Sequence, residues 1–127
     1  MTNEHPLADA RIGQIAIYAQ DLARATRFYR DTLGLPLLFE APGMSFFRCG
    51  EVRLLVGTPP RPEENHPSSL LYYFVGDIRA THAALQSRGV RFLNEPHLIA
   101  RMPDHELWMT FFRDPDRNLH GLMAEVR

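Results

Sequence analysis

Lysine is absent from this sequence of 127 residues, and all 14 basic side chains are arginine. Schiff-base chemistry through a lysine amine is therefore excluded. Cysteine is nearly absent too. The single Cys49 cannot close an intramolecular disulfide, so its thiol is free, as suits a reducing cytoplasm. It ends the run Ser45-Phe-Phe-Arg-Cys-Gly50, where a small residue beside a turn glycine accounts for it without a catalytic role. No apolar run approaches the roughly 20 residues of a membrane-spanning helix. Runs of one charge sign are missing as well. With a net charge of −1 the chain has no electrostatic footprint for nucleic acid or an anionic membrane. Met1 to Ala10 carries neither the basic nor the apolar region of a secretory leader, and a cytoplasmic protein is expected.

What is present is ordinary globular composition, 45% hydrophobic and 23% charged. Length and composition together predict one domain over residues 1–127. Apolar runs predict strands at 11–19, 37–41, 44–48 and 52–57, with a helix between the first two. Asp21 caps that helix, Leu22, Ala25, Phe28, Tyr29 and Leu33 have helical spacing, and Gly34 stops it. The proline-rich stretch 58–67 predicts an extended linker between a first module, 11–57, and a second, 68–126. The pattern then restarts, with a strand at 69–75, a helix capped by Asp77 and stopped by Gly89, and strands at 90–93, 107–113 and 118–126. Residues 95–105 are expected to be irregular, and His82 to lie on the exposed side of the second helix.

The halves repeat one another. Asp21 and Asp77 lie 56 apart, Gly34 and Gly89 lie 55 apart, and Phe46-Phe47-Arg48 matches Phe111-Phe112-Arg113 at an offset of 65. Allowing two more residues in the second turn, Val52 to Val56 falls on Leu119 to Met123 at an offset of 67. One helix and a few strands cannot bury both faces of a sheet, so the halves must pair, and two curled sheets joined in this way enclose a cleft.

Asp21-Leu-Ala-Arg-Ala-Thr-Arg-Phe-Tyr-Arg-Asp-Thr-Leu-Gly-Leu35 is similar to the first helix of the vicinal oxygen chelate proteins, the glyoxalase, bleomycin-resistance and extradiol-dioxygenase group. Phe112-Arg-Asp-Pro-Asp-Arg-Asn-Leu119 resembles their closing turn and last strand, with Arg117 where the family has glycine. The resemblance spans residues 11–126 and implies an α+β fold, two βαβββ modules forming a cupped mixed sheet around a cleft, and a homodimer. It also implies a metal held by four side chains, commonly His, Glu, His and Glu. The first ligand position is seven before the capping Asp, here Gln14, and its repeat partner is Leu70. The other two, in the last strand of each half, are Leu54 and Gly121. One amide oxygen cannot hold a divalent transition ion, so neither a metal nor another cofactor is expected at these positions. His120, one residue away, would by strand alternation face the helix side.

Period-two alternation assigns Gln14, Ala16, Tyr18, Val52, Leu54 and Val56 to the cleft from the first half. The second half gives Leu70, Tyr72, Phe74, Leu119, Gly121 and Met123. Such a lining suits a small apolar or aromatic ligand held by few hydrogen bonds. Residues 96–108 concentrate reactive side chains: His97 or His105 as general base, Arg101 as anion clamp and Trp108 as stacking surface, with Glu40 as a further candidate base near the cleft mouth. The structural reading of the same residues leaves His105 solvated and Trp108 in the core. Two functions therefore stand. The favoured one is a metal-free binding protein. The alternative is an enzyme of glyoxalase or dioxygenase descent, of lyase or oxygenase type, using Gln14 with His97 or His105 around a metal, or acid–base catalysis without one.

Overall fold

The computed structural model describes residues 5–58 and 68–127. The expected linker beyond Thr58, and His66 with it, lies outside them. The first module runs β1 (Gln14–Tyr18), α1 (Leu22–Arg27), a π-helical turn (Phe28–Thr32), β2 (Leu37–Ala41), β3 (Met44–Cys49) and β4 (Val52–Gly57). The second runs β5 (Leu71–Phe74), α2 (Ile78–Ser87), β6 (His97–Arg101), β7 (Glu106–Arg113) and β8 (Leu119–Val126).

Both helices start where the caps predict. The Asp21 carboxylate accepts from the Arg24 backbone N–H at 3.1 Å, and Asp77 from that of Ala80 at 3.0 Å. Both end at a glycine with positive φ, 77° at Gly34 and 91° at Gly89. The first helix departs from expectation after Arg27, where it widens into the π-helical turn, closed by Leu33 N–H to Phe28 O at 2.9 Å. That turn carries Phe28 and Tyr29, packed edge to face at 5.4 Å, to the seam between the modules. Phe28 touches the cores of both.

Each module forms its own four-stranded mixed sheet, in the orders β1-β4-β3-β2 and β5-β8-β7-β6. The edge pairs β1–β4 and β5–β8 are parallel, and the others are antiparallel. Two expectations fail here. The strand expected at 90–93 is reduced to one isolated bridge, Phe92 to Phe112. β6 forms inside the segment read as irregular, because a bulge between Leu98 and Ala100 breaks the alternation that marks a strand.

The core lies on the helix-covered face of each sheet: Ile17, Tyr29, Phe47, Leu54 and Val56 under α1, and Ile78, Leu85, Phe112, Leu122 and Ala124 under α2. His82 is buried rather than exposed, its ring 4.2 Å from that of Phe92, because α2 turns that face onto the chain leading to β6. No helix among the described residues is long and apolar enough to cross a membrane.

Candidate functional site on the open sheet faces

Residues paired across neighbouring strands share a face of the sheet, so the register decides which side chains meet. Gln14 pairs with Arg53 and Ala16 with Leu55; Arg53 pairs onward with Arg48, and Leu55 with Phe46. The face away from α1 therefore carries Gln14, Ala16, Tyr18, Arg53, Leu55, Phe46 and Phe39. In the second sheet Tyr72 pairs with Gly121 and Phe74 with Met123, while Phe111 faces Gly121 from β7. Leu70, Tyr72 and Phe74 are exposed on that face, at 37%, 46% and 61%.

Leu54 does not lie on the open face of its sheet. It is 1% exposed and packs in the core with Ile17 and Phe47, one residue out of phase with the expectation. The pair Phe46–Leu55 is the counterpart of Phe111–Gly121, so the second turn gains one residue, not two, and Leu55 is the true equivalent of Gly121. Val52 and Val56 go with Leu54 to the helix side. β4 is apolar on both faces, which hid the phase; Arg53, the one charge in the strand, was the signal that marked the open face.

The four positions at which the family keeps its metal are thus Gln14, Leu55, Leu70 and Gly121, and they do not fit a metal. The Gln14 side-chain oxygen already accepts from Arg53 Nε at 2.7 Å, and the two leucines carry no donor. At Gly121 a Cβ would lie 2.8 Å from the Tyr72 ring, which covers that position, itself edge to face with Phe111 at 6.0 Å. Among the described residues no three His, Cys, Asp or Glu side chains come together to hold an ion.

The candidate acid–base residues do not converge. Glu40 is paired with Ser45, whose hydroxyl bonds Thr26 of α1 at 2.7 Å, so Glu40 lies on the helix side, within reach of Arg30 rather than at the cleft. His97 pairs with Met109 on the open face of the outermost strand of the second sheet. Its Nδ1 donates to the Glu95 carbonyl at 3.0 Å, which leaves Nε2 as the acceptor. His105 sits in the β6–β7 turn between Asp104 at 2.7 Å and Glu125 at 3.7 Å. Arg101 is exposed and engages Glu106 at 3.4 Å on the same rim. Trp108 is on the helix side, partly buried against the α2 core, with its indole N–H on Glu106 at 3.1 Å and Arg79 over its ring at 5.2 Å. It pairs with Ala124, and that parity, opposite to Gly121, keeps it off the open face.

Beneath the sheets lies a buried polar chain that no motif or spacing announces. Asp114 accepts from the Tyr29 hydroxyl at 2.5 Å, so the Tyr29 oxygen accepts in turn from His120 Nε2 at 3.0 Å. His120 Nδ1 is then left to accept from the Tyr73 hydroxyl at 3.1 Å. His120, 1% exposed, faces the helix side as its register required. Burial alone would raise the Asp114 carboxyl, but bonds from His120, Tyr29 and Asn118 outweigh it and hold the group below the usual carboxylate range. Burial, with the Asp114 charge beside it, pushes the Tyr29 phenol far up, and burial does the same to Tyr73. The chain is complete with a neutral imidazole, which fits a structural joint between the modules.

A pair of βαβββ modules with an open, mostly apolar face on each sheet defines the class. Residues 11–121 match the Glyoxalase/Bleomycin resistance protein/Dioxygenase superfamily, and the chain belongs to that family. It is similar to the uncharacterized protein YraH of Bacillus subtilis (strain 168), at 31% identity over 84% of this chain and 91% of that one. Among solved structures it is similar to TnmS3, an antibiotic binding protein from Streptomyces sp. CB03234, with 26% identity, coverage of 93% and 98%, and a TM-score of 0.75. It also shares the fold of lactoylglutathione lyase from Agrobacterium tumefaciens, with 24% identity, coverage of 91% and 93%, and a TM-score of 0.70.

Proposed function

We propose that this chain binds small, flat, apolar or aromatic molecules in the cleft formed by its open sheet faces, without the family's metal. The observation that carries the reading is the occupant of the fourth ligand position: the Tyr72 ring lies over Gly121, edge to face with Phe111, where a carboxylate would have to stand. Exposed aromatic faces with few polar groups favour stacking and burial over coordination. The likeness to TnmS3, an antibiotic binding protein, supports binding over catalysis. The reading includes a cytoplasmic location, in keeping with the free Cys49, and the family's habit of pairing into homodimers.

The test is titration with neutral N-phenyl-naphthylamine, whose fluorescence rises in apolar surroundings. Saturable binding that weakens in Tyr72→Ala supports the reading, and absence of saturable binding overturns it. Elemental analysis of protein purified without added metal checks the second half of the claim; a stoichiometric transition ion overturns it.

A second reading, an enzyme of the same descent, rests on His97 alone. Its fixed tautomer offers Nε2 as a base on the open face.

A further inference from the structure

We propose that the ligand of the cleft is an aromatic acid, its carboxylate held by Arg53 and its ring laid against Phe39. This rests on the binding reading above and adds the ligand's charge and the residue that reads it.

Arg53 is exposed on the open face yet held in place. Its Nε donates to Gln14 at 2.7 Å, and its guanidinium carbon stands 5.2 Å from the centre of the Phe46 ring and 6.0 Å from that of Phe39. Those rings stack on one another at 4.3 Å, only 22° from parallel, so the platform beneath the guanidinium is itself fixed. With Nε committed and the plane set, the two Nη nitrogens remain as a fork that matches a carboxylate. A side chain already immobilised loses little rotamer freedom when it binds. Phe39, 47% exposed, continues the platform as a flat apolar surface beside the fork.

Arg48 lies directly across the strand pair on the same face. Like charges in that relation repel, and an anion between them removes the penalty. Internal partners do not meet this need. The ion pairs of the described residues engage Arg11, Arg24, Arg30, Arg101 and Arg127, and leave Arg48 and Arg53 without a carboxylate. Glu51, in the adjoining turn, is turned to Arg11 at 3.9 Å, and Glu40 lies toward Arg30 on the other face. Where relatives present ligands to a cation, this chain uses its one surviving donor, Gln14, to orient a cation of its own.

The experiment is isothermal titration of the full chain, at low salt, with naphthoate and with its neutral analogue naphthylmethanol. Naphthoate is expected to bind about tenfold tighter or better, as a charge-assisted bidentate contact should allow, and the gap should narrow as salt is added. Arg53→Met, which keeps a stem over Phe46, should erase the preference for naphthoate over naphthylmethanol; Arg53→Lys, which keeps the charge but loses the fork, should erase part of it. If Arg53→Met does not melt cooperatively, Arg53→Lys and Gln14→Leu carry the comparison. Equal affinities for the two compounds overturn the anion claim and leave the binding reading standing. A preference that survives at Arg53→Met places the anion elsewhere and also overturns it. If neither compound binds and N-phenyl-naphthylamine fails too, both claims fall.

Discussion

The Tyr29 hydroxyl donates to the Asp114 carboxylate at 2.5 Å across 85 residues of sequence, joining the first helix to the turn that opens the last strand. Tyr29 is fully buried, and the contact leads on through His120 to Tyr73. It is the central link between the modules on the helix side.

Tyr29→Phe removes that donor and leaves a buried carboxylate short of one bond. A loss of about 2 kcal/mol is expected, since an unsatisfied buried partner costs more than the bond contributes when formed. Urea unfolding of the two proteins measures it; a change within error would show that the joint carries no weight.

Acid should weaken the same joint. The Asp114 carboxyl is held below its ordinary value in the folded chain, so its contribution is present above the unfolded carboxylate value of about 3.9 and is lost as pH falls through the lower folded value. Melting temperatures of wild type and Asp114→Asn should therefore differ most near neutral pH, begin to converge below about pH 4, and meet only once the pH has fallen past the lower folded value. A gap independent of pH would exclude the linkage.

Arg117 has φ of 67°, the one non-glycine residue in the left-handed region among those described, in the turn where the family resemblance implies glycine. An L side chain there costs on the order of 1 kcal/mol. Arg117→Gly should recover much of this, since the backbone carbonyl that accepts from Arg113 Nη1 at 3.1 Å is kept. A rise in melting temperature is the expected result; a fall would mean that the turn depends on the arginine itself.

Gly121→Ala separates stability from binding. The new Cβ would sit 2.8 Å from the Tyr72 ring, which is exposed and able to swing aside, so the fold should lose less than about 1 kcal/mol. Displacing the ring should nevertheless weaken N-phenyl-naphthylamine binding severalfold, as loss of one aromatic contact does. Unchanged affinity would remove Tyr72 from the site.

The features legible in the sequence were local or repeated. Asp21 and Asp77 as caps, Gly34 and Gly89 as stops, and the matching Phe-Phe-Arg triplets were enough to lay one half on the other. What failed was phase. In β4 both faces are apolar, one toward α1 and one open, so alternation does not choose between Leu54 and Leu55, and an offset one residue too long selects Leu54; the single charge, Arg53, carries the missing phase. A bulge hid β6 for a related reason. For Trp108 the sequence supports both a stacking surface and a core side chain, and its pairing with Ala124 turns it inward. The Tyr73–His120–Tyr29–Asp114 chain was out of reach, because its members lie in four separate elements and meet only when the modules dock.

The strand orders leave β1 and β5 each at the margin of its own sheet, so that the halves are stitched by side chains. Ser68 Oγ takes the Tyr18 N–H at 2.8 Å, Asn118 reaches the Tyr18 carbonyl at 2.9 Å, and Asp116 meets the Gln20 N–H at 2.8 Å. Each stitch ends on a side chain of the second module, so one substitution can release it while every ladder bond stays intact. Substitution along this suture therefore loosens the joint between the halves without touching either sheet.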